Sequence, residues 1–285
     1  TIGNNAFSST KINNISIPPN VRDIYWSCFR NIETLNHIEI SPNNENFAWV
    51  DDSFLLKKSE LNIANYDVLL FAKRNIEHAI IPSSIKNIEN QCFYHCKNLH
   101  TIEFQANSEL CSIGEQAFDS SSIESIIIPP NVTYIGKSAF SRCSQLNKFV
   151  FSDNLNLTKI DDNIFEYTSI ESIIIPQHII SIGKDAFRGC KKLKNVLFHE
   201  NSDLQNIGYD AFFDTSIESI TIPSKVQSIE YVFRCCNKLN TVLFNDDSQL
   251  SCIGYSCFEK SSIENITIPS NVKVISENAF RLCRN

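Results

Sequence analysis

Residues 123–129 read IESIIIP, and residues 170–176 read IESIIIP again, 47 positions later. Close variants follow as IESITIP at 217–223 and IENITIP at 263–269. The 47-residue period divides into two related coils of 23 and 24 residues, because its second half keeps the same apolar frame. A unit of this length cannot bury its apolar face alone. The repeat therefore predicts a solenoid in which successive coils stack.

Each coil opens with a six-position strand frame that is apolar at positions 1, 4 and 6, as in Ile170, Ile173 and Ile175. Side chains alternate between the two faces of a strand, so position 5 is expected to point out of the coil. In every second coil a proline ends the strand, because proline cannot continue a ladder. The coil is completed by a short V-x-x-I segment, a turn at glycine and a helical turn around Ala-Phe. One Phe per coil predicts a stacked aromatic column.

The frame is interrupted once, between Pro18 and Pro82, which lie 64 residues apart. The excess falls in residues 41–75, where the β-rich pieces Phe54–Leu56 and Val68–Phe71 flank a polar turn. This pattern predicts a hairpin-like insertion that projects from a coil or completes one. We otherwise expect residues 1–285 to form a single solenoid. Because the chain opens and stops within a repeat, it is expected to be a fragment of a longer protein.

The segment IPPNVTYIGKSAFSRCSQLNKFV at 128–150 resembles the BspA-like class of leucine-rich repeats. The resemblance covers nearly the whole chain. It implies an α/β repeat solenoid, a right-handed superhelix that is β-dominated with short helical turns and carries one parallel sheet on its concave face. Members of this class are surface proteins of anaerobic bacteria and mucosal protist parasites, and some bind host matrix proteins.

Composition narrows the function classes. The net charge of −7 and pI near 5.4 argue against a nucleic-acid partner, which would require a basic surface. No apolar run approaches the roughly 20 residues that span a bilayer, so no direct membrane insertion by this chain is expected.

Phosphate loops and nucleophile elbows are missing from the sequence, and no catalytic residue or cofactor site is predicted. Cys92, Cys96 and His100 have spacing compatible with zinc, but both thiols occupy repeat slots, so no metal site is predicted.

Eleven cysteines would ordinarily suggest disulfides. Five of them recur three residues after the repeat Phe: Cys96, Cys143, Cys190, Cys236 and Cys283. Two coils separate successive members, a distance of about 10 Å at a strand spacing of ~4.8 Å, which exceeds the ~7 Å limit for a disulfide. We expect these cysteines to be buried thiols that fill a packing slot.

The strongest functional signal is an outward column of branched apolar residues at strand position 5. Its members are Ile80, Ile127, Val150, Ile174, Leu197 and Leu243. Four successive coils, from 127 to 197, carry such a residue on the predicted concave face, and an exposed apolar strip often marks a contact surface. The alternative is β-propensity, since Ile and Val also stabilise an exposed sheet without binding anything.

The resemblance and the lack of catalytic motifs together favour a non-enzymatic protein-binding solenoid. We expect a cell-surface adhesin ectodomain, located at the cell surface or outside the cell, whose ligand is a host or extracellular-matrix protein. The alternative is an intracellular scaffold for protein–protein interaction that uses the same face. The sequence leaves the oligomeric state open.

Overall fold

Two kinds of β-strand recur along the chain, one of four residues at the strand frame and one of two residues at the V-x-x-I segment. The computed structural model describes residues 1–60, 63–153 and 155–283, which fall into two compact units, Thr1–Cys143 and Ser144–Asn285. The four-residue strands are β1 Asn14–Ile17, β2 His37–Ile40, β6 His78–Ile81, β8 Thr101–Phe104 and β10 Ser125–Ile128 in the first unit, and β12 Lys148–Phe151, β14 Ser172–Ile175, β16 Asn195–Phe198, β18 Ser219–Ile222 and β20 Thr241–Phe244 in the second. The two-residue strands are β7 Asn87–Ile88, β9 Ser112–Ile113 and β11 Tyr134–Ile135, then β13 Lys159–Ile160, β15 Ser181–Ile182, β17 Asn206–Ile207, β19 Ser228–Ile229, β21 Cys252–Ile253 and β22 Val274–Ile275. Three further strands occupy the insertion: β3 Phe47–Val50, β4 Phe54–Lys57 and β5 Val68–Ala72.

The four-residue strands pair in parallel, but mainly in twos. Full four-residue pairing joins β1 to β2, β6 to β8, β14 to β16 and β18 to β20. The next interval is open: β10 meets β8 only at Ser125 and Thr101, and no described residue of β16 pairs with β18. The expectation of one continuous parallel sheet was therefore wrong.

Proline accounts for part of this alternation. In two proline-less coils of the first unit the residue after the strand donates its N–H to the preceding coil, from Ser41 to the Ile17 carbonyl at 3.0 Å and from Gln105 to the Ile81 carbonyl at 3.1 Å. In the alternate coils that residue is a proline such as Pro129 or Pro223, which has no N–H. An interval that leads into a proline-bearing coil therefore cannot form this hydrogen bond.

Except at Phe29, the corner around the repeat Phe is a series of turns and not a helix. A residue with left-handed φ lies two positions before the Phe and another two positions after it, for example Asp185 (φ 54°) and Gly189 (φ 68°) around Phe187. The N–H groups of these three residues donate to the next coil, to the carbonyls of Tyr209, Ala211 and Phe213 at 2.7–3.0 Å. Helical N–H groups would instead bond within their own segment. The expected short helical turns were therefore wrong: the described residues contain one 3-10 helix, Trp26–Phe29, and no α-helix.

Phenylalanine rings stack along each unit. In the second unit the ring centroids of Phe165, Phe187, Phe212, Phe233, Phe258 and Phe280 follow one another at 5.1–5.6 Å. In the first unit Phe93, Phe118 and Phe140 stack at 4.8 and 5.2 Å, and Phe7 stacks on Phe29 at 6.1 Å. Burial of a large apolar side chain contributes about 1.5–3 kcal/mol, so these columns are a main source of stability.

The insertion is built into the sheet of two-residue strands. Strands β3, β4 and β5 are antiparallel to one another, and β5 then pairs in parallel with β7. The hairpin therefore occupies the place of a coil on that face. Residues 61 and 62, which belong to the expected 41–75 insertion, lie outside the described part of the chain.

A buried arginine joins the insertion to the next coil. Arg74 donates to the carbonyls of Cys92 at 2.7 Å and Gln91 at 3.4 Å, and its guanidinium lies 4.4 Å from the ring centre of Phe71. The Cys92 carbonyl also accepts the backbone N–H of Ala72 at 3.3 Å, as the Ala117 carbonyl accepts that of Phe93 in a regular corner. The guanidinium therefore adds donors that tie the insertion to the next coil.

The repeated cysteines are hydrogen-bonded thiols. Sγ of Cys143, Cys190 and Cys236 donates to the carbonyl of the Phe in the preceding coil at 2.9–3.0 Å. A hydroxyl from that coil also contacts each sulfur, for example Thr168 at 3.3 Å from Cys190. All eleven cysteines are free. The thiol is therefore small enough for the slot and also satisfies a buried carbonyl.

Thiol labelling tests this arrangement. Burial raises the pKa of Cys143 and Cys236 to about 12 and that of Cys190 to about 11, so these thiols hold their protons at pH 8. Only the thiolate is nucleophilic, and Cys111 is exposed. Iodoacetamide applied to the native protein should modify Cys111 first and leave the three buried thiols unmodified, as read by peptide mass spectrometry. In urea all eleven should react. Labelling of Cys190 in the native state at the rate of Cys111 would contradict the burial.

Gly208 marks a point where adjacent coils nearly touch. A Cβ at this position would lie 2.6 Å from the backbone nitrogen of Lys184 and 2.7 Å from the carbonyl carbon of Gly183. The glycine is therefore required by close backbone approach. Backbone atoms cannot move aside cheaply, so Gly208→Ala should lower the free energy of unfolding by about 1–3 kcal/mol in urea denaturation. The same change at Gly3, which has no neighbour within 4 Å, is the control and should cost less than about 0.5 kcal/mol. Equal losses at both positions would contradict this explanation.

Candidate functional site

The exposed side of the four-residue strands, which we call the strand face, carries the predicted position 5 residues. Ile80, Ile127, Ile174, Leu197 and Leu243 are each more than half exposed. Val150 is half-buried. The neighbouring position 4 residues, such as Ile173 and Val196, are buried, so the predicted inside and outside positions of the frame are confirmed.

In the first unit the strand face mixes apolar and acidic residues. Ile80 lies directly beside Glu103 on the next strand, and Ser16 donates to Glu39 at 2.7 Å. The apolar residue Ile127 therefore has an acidic residue between it and Ile80. A continuous apolar surface is not formed by this part of the column.

The beginning of the first unit carries a charged cluster beside its strand face. The carboxylate of Asp52, in the β3–β4 turn, lies 3.3 Å from the indole nitrogen of Trp49, 3.3 Å from Nζ of Lys73 and 3.4 Å from Nδ1 of His37. These hydrogen bonds, with that from Trp49 the largest contribution, lower the pKa of Asp52. The ionised cluster makes this end of the face a poor apolar contact surface.

The second unit holds the more apolar part of the column. Ile174 and Leu197 are direct cross-strand partners in the β14–β16 pair, with 67% and 56% of their surfaces exposed. Ser172 and Asn195 form the neighbouring pair on the same face, and both are exposed. An apolar centre with a neutral polar margin is the composition of many protein contact surfaces. Leu243 pairs with Thr221 on the next two strands, so a threonine lies between it and Leu197 along the column.

Clefts occur at the open intervals between strand pairs. A cleft of about 790 Å³ lies between β8 and β10, and one of about 520 Å³ lies between β16 and β18. The largest, about 1090 Å³, separates β20 from the extended segment 264–268. These clefts were not foreseen from the sequence. The signal that could have indicated them is the proline at the end of alternate strands, because it removes a donor from each of these intervals.

A second groove on the first unit was also missed. It has a volume of about 600 Å³, and its lining includes the exposed aromatic residues Tyr25, Trp26 and Tyr134. Lys57 and Glu89, which also line it, form an ion pair at 2.7 Å. These aromatic residues stand outside the strand frame, so the periodic pattern gave no reason to group them.

The edge formed by the Phe corners carries ion pairs between neighbouring coils. Arg281 pairs with Glu259 at 2.7 Å. Arg188 and Arg234 instead both bind Asp210, at 3.5 and 3.2 Å. Both guanidinium groups also lie over the ring of Phe213, at 4.4 and 4.8 Å from its centre. This edge is thus held together by its own contacts.

Metal-binding clusters were not found among the described residues, and no helix in the described chain could cross a membrane. Cys92 and Cys96, which have zinc-like spacing with His100, are buried thiols, and burial raises the pKa of both. Their neighbour is the cationic Arg74, which donates to the Cys96 sulfur at 3.7 Å. A cation beside these thiols disfavours a metal ion there.

Comparison with known proteins agrees with this architecture. The family model of the BspA type leucine rich repeat region matches residues 1–67, 62–159 and 158–285, in six copies. A leucine-rich repeat protein from Eubacterium ventriosum is structurally similar, with a TM-score of 0.61, 21% identity and coverage of 96% of this chain. The pneumococcal vaccine antigen PcpA has a TM-score of 0.51 and 19% identity, and the match covers 95% of this chain and 69% of the antigen.

These structural similarities are at low identity and concern the fold. The chain corresponds to 59% of the length of the Eubacterium ventriosum protein. No curated protein sequence matches it. The family model extends over the whole chain, and the stacked coils with parallel strands are the fold of its structural neighbours. The protein belongs to the BspA type of leucine-rich repeat proteins.

Proposed function

We propose that this chain is a non-enzymatic protein-binding module whose contact surface is the strand face. The observation that carries the proposal is the exposed cross-strand pair of Ile174 and Leu197 in the second unit. Large branched side chains held on a rigid parallel pair lose little conformational freedom when a partner covers them. Their neutral polar neighbours would exclude water around the contact without strong desolvation cost.

The partner we propose is an extracellular protein, of a host or of its matrix, and the chain would be part of the ectodomain of a surface adhesin. The family supports this proposal, and so does the structural similarity to a pneumococcal vaccine antigen. Nothing in the described geometry resembles a catalytic constellation, which is consistent with a binding role. The alternative explanation of the column, β-propensity alone, predicts that its exposed side chains can be changed without effect on binding.

The substitution Ile174→Glu tests the contact surface. It places a charge at the centre of the apolar pair while the inward residues Ile173 and Ile175 are unchanged, so the free energy of unfolding should change by less than about 0.5–1 kcal/mol. Affinity for an extracellular-matrix protein that binds the 285-residue chain in a surface plasmon resonance panel should fall at least about tenfold, or ~1.4 kcal/mol.

The matched control is Ile180→Glu. Ile180 is also exposed and lies in the same coil, but beyond the strand and beside the short strand β15, so the same chemical change occurs away from the strand face. Binding should be nearly unaffected. If Ile174→Glu binds normally while the control does not, the strand face is not the contact surface. If Ile174→Glu fails to fold, the assignment of the exposed position is wrong.

A second candidate, an intracellular scaffold that uses the same face, is favoured by the cysteines. All eleven are free, and the repeated ones are hydrogen-bonded as thiols. Proteins of oxidising compartments usually convert many of their cysteines to disulfides, whereas cytosolic proteins keep them reduced. In this chain, however, stacking keeps the repeated thiols apart and buried, so the reduced state follows from geometry in either compartment.

Labelling of intact cells distinguishes the two candidates. A membrane-impermeant biotin reagent should modify surface lysines of the protein on intact cells of its source, because a surface adhesin exposes its strand face and edges to the medium. A cytosolic protein from the same cells is the control for membrane integrity. Protection until the membrane is opened would exclude the adhesin and support the scaffold.

A further inference from the structure

The cleft between β20 and segment 264–268 interrupts the strand face inside the second unit, between two coils that are joined everywhere else. On the side of the two-residue strands, Cys252 and Ile253 of β21 pair with Val274 and Ile275 of β22. At the corner, Phe258 stacks on Phe280 at 5.4 Å, and its N–H donates to the Ala279 carbonyl at 2.8 Å. The two coils are therefore docked on two sides and separate only at their four-residue strands.

Hydrogen bonds mark the two ends of the opening. Ser262 N–H donates to the Leu239 carbonyl at 2.9 Å on one side, and the Asn271 side-chain amide donates to the Ser248 carbonyl at 2.7 Å on the other. Among the described residues no hydrogen bond joins 240–247 to 263–270. In the preceding interval the corresponding strands, β18 and β20, pair over all four residues. This interval is thus open where the preceding one is closed.

Backbone groups of β20 face this cleft without partners. Thr241 N–H donates toward the preceding coil, to the Glu218 carbonyl at 3.3 Å. Backbone groups of alternate residues in a strand point to opposite edges. Those of Val242 and Phe244 therefore face the cleft, and both residues line it. Across the cleft, Pro269 has no N–H with which to close it.

The lining of the cleft is mainly polar, with apolar side chains on its far wall. Ile266 and Ile268 line it and are half-buried. Side chains of an inserted strand that point inward would meet these two residues.

The charges along the cleft are more acidic than basic. Asp246 and Glu264 line it, and Lys238 is the one cation in its lining among residues up to 283. A partner segment with a basic residue at its ends would therefore be favoured by the local field, at low salt more than at high salt.

We infer that this cleft accepts an extended peptide segment of a partner protein, which adds as a strand beside β20. The segment would carry apolar, preferably β-branched, residues at alternate positions and a basic residue near its ends. A row of unpaired strand groups is matched by an extended backbone, since successive N–H and C=O groups on one edge repeat at every second residue. A helix has satisfied its own backbone groups and offers none to this edge. The inference rests on the proposed function, protein binding, and specifies a mode and a second location for it.

A synthetic probe tests this inference without knowledge of the natural partner. The probe is a short fluorescent peptide in which valine alternates with threonine between two lysines, and its binding to the 285-residue chain is measured by fluorescence anisotropy. A peptide of the same composition with consecutive valines, and one that is N-methylated at alternate residues, should each bind at least about tenfold more weakly. Equal binding of the N-methylated peptide would overturn the inference, because that peptide cannot complete the hydrogen bonds of a strand.

Variants at Thr267, in the middle of the opposite wall, give a second test. Thr267 lines the cleft, and its backbone makes no hydrogen bond in the structure, so Thr267→Pro removes an N–H at little cost to the fold. Affinity for the probe should fall at least about tenfold, whereas Thr267→Val, which keeps the N–H, should bind within about twofold of the wild type. Probe binding that is unchanged by the proline would overturn the inference.

Two further measurements keep the outcome decisive. Resistance of the buried Cys236 and Cys257 to iodoacetamide shows whether Thr267→Pro is folded. The probe should also slow amide hydrogen exchange at Val242 and Phe244, a result that needs no variant, and unchanged exchange would overturn the inference.

Ile174→Glu should bind the probe with an affinity within about twofold of the wild type. If the probe does not bind at all, the cleft inference fails, while the strand-face proposal is judged separately by Ile174→Glu and its matrix partner.

Discussion

Backbone hydrogen bonds that pass from one coil to the next hold this structure together. They connect coils between the two-residue strands, around the Phe corner and, at the closed intervals, between the four-residue strands. At the corner, alternate residues take a left-handed φ so that the N–H groups near Phe187 point to the next coil. Non-glycine residues at such angles are strained. Stacking of the Phe rings and burial of the adjacent Ile and Ala residues offset that strain.

The contacts between neighbouring coils also account for the irregular parts of the fold. Where the insertion meets the next coil, the buried guanidinium of Arg74 adds hydrogen bonds to the carbonyls of Cys92 and Gln91, which also accept backbone N–H groups. Where a coil approaches its neighbour too closely for a side chain, Gly208 is present. Cysteine in the slot after the Phe adds a thiol hydrogen bond to the carbonyl of the preceding Phe, as Cys190 does at Phe165, whose carbonyl also accepts the N–H of Thr168. Each of these residues thus suits a particular contact between coils.

The two types of interval between strands give the two surface features on which our proposals rest. Proline at the end of alternate strands leaves a carbonyl of the preceding coil without its usual donor, and the strand face separates into pairs at these intervals. The strand-face pair Ile174–Leu197 lies within a closed pair, so its apolar side chains are held rigidly. The largest cleft lies at an open interval, where backbone groups are unpaired. A rigid apolar patch and an open strand edge thus arise from the two alternating types of interval.

The sequence by itself determined the solenoid, its parallel strands, the phase of the strand frame and the membership of the Phe columns. These features follow from a short apolar period, since a register error of one residue would turn Ile174 inward and Ile173 outward. The outward column at position 5 was likewise predicted from the alternation of side chains along a strand. The exposure of Ile174 and Leu197 follows from that alternation.

Tertiary structure decided the features that depend on which donor meets which acceptor in another coil. The corner residues form turns because their N–H groups find partners across the interval, a choice that local propensity does not make. The pairing of strands in twos, the position of Arg74 and the cleft beside β20 depend in the same way on distances between coils. Periodicity specifies what each coil contains, but hydrogen bonding between coils is settled only when their backbones are placed side by side.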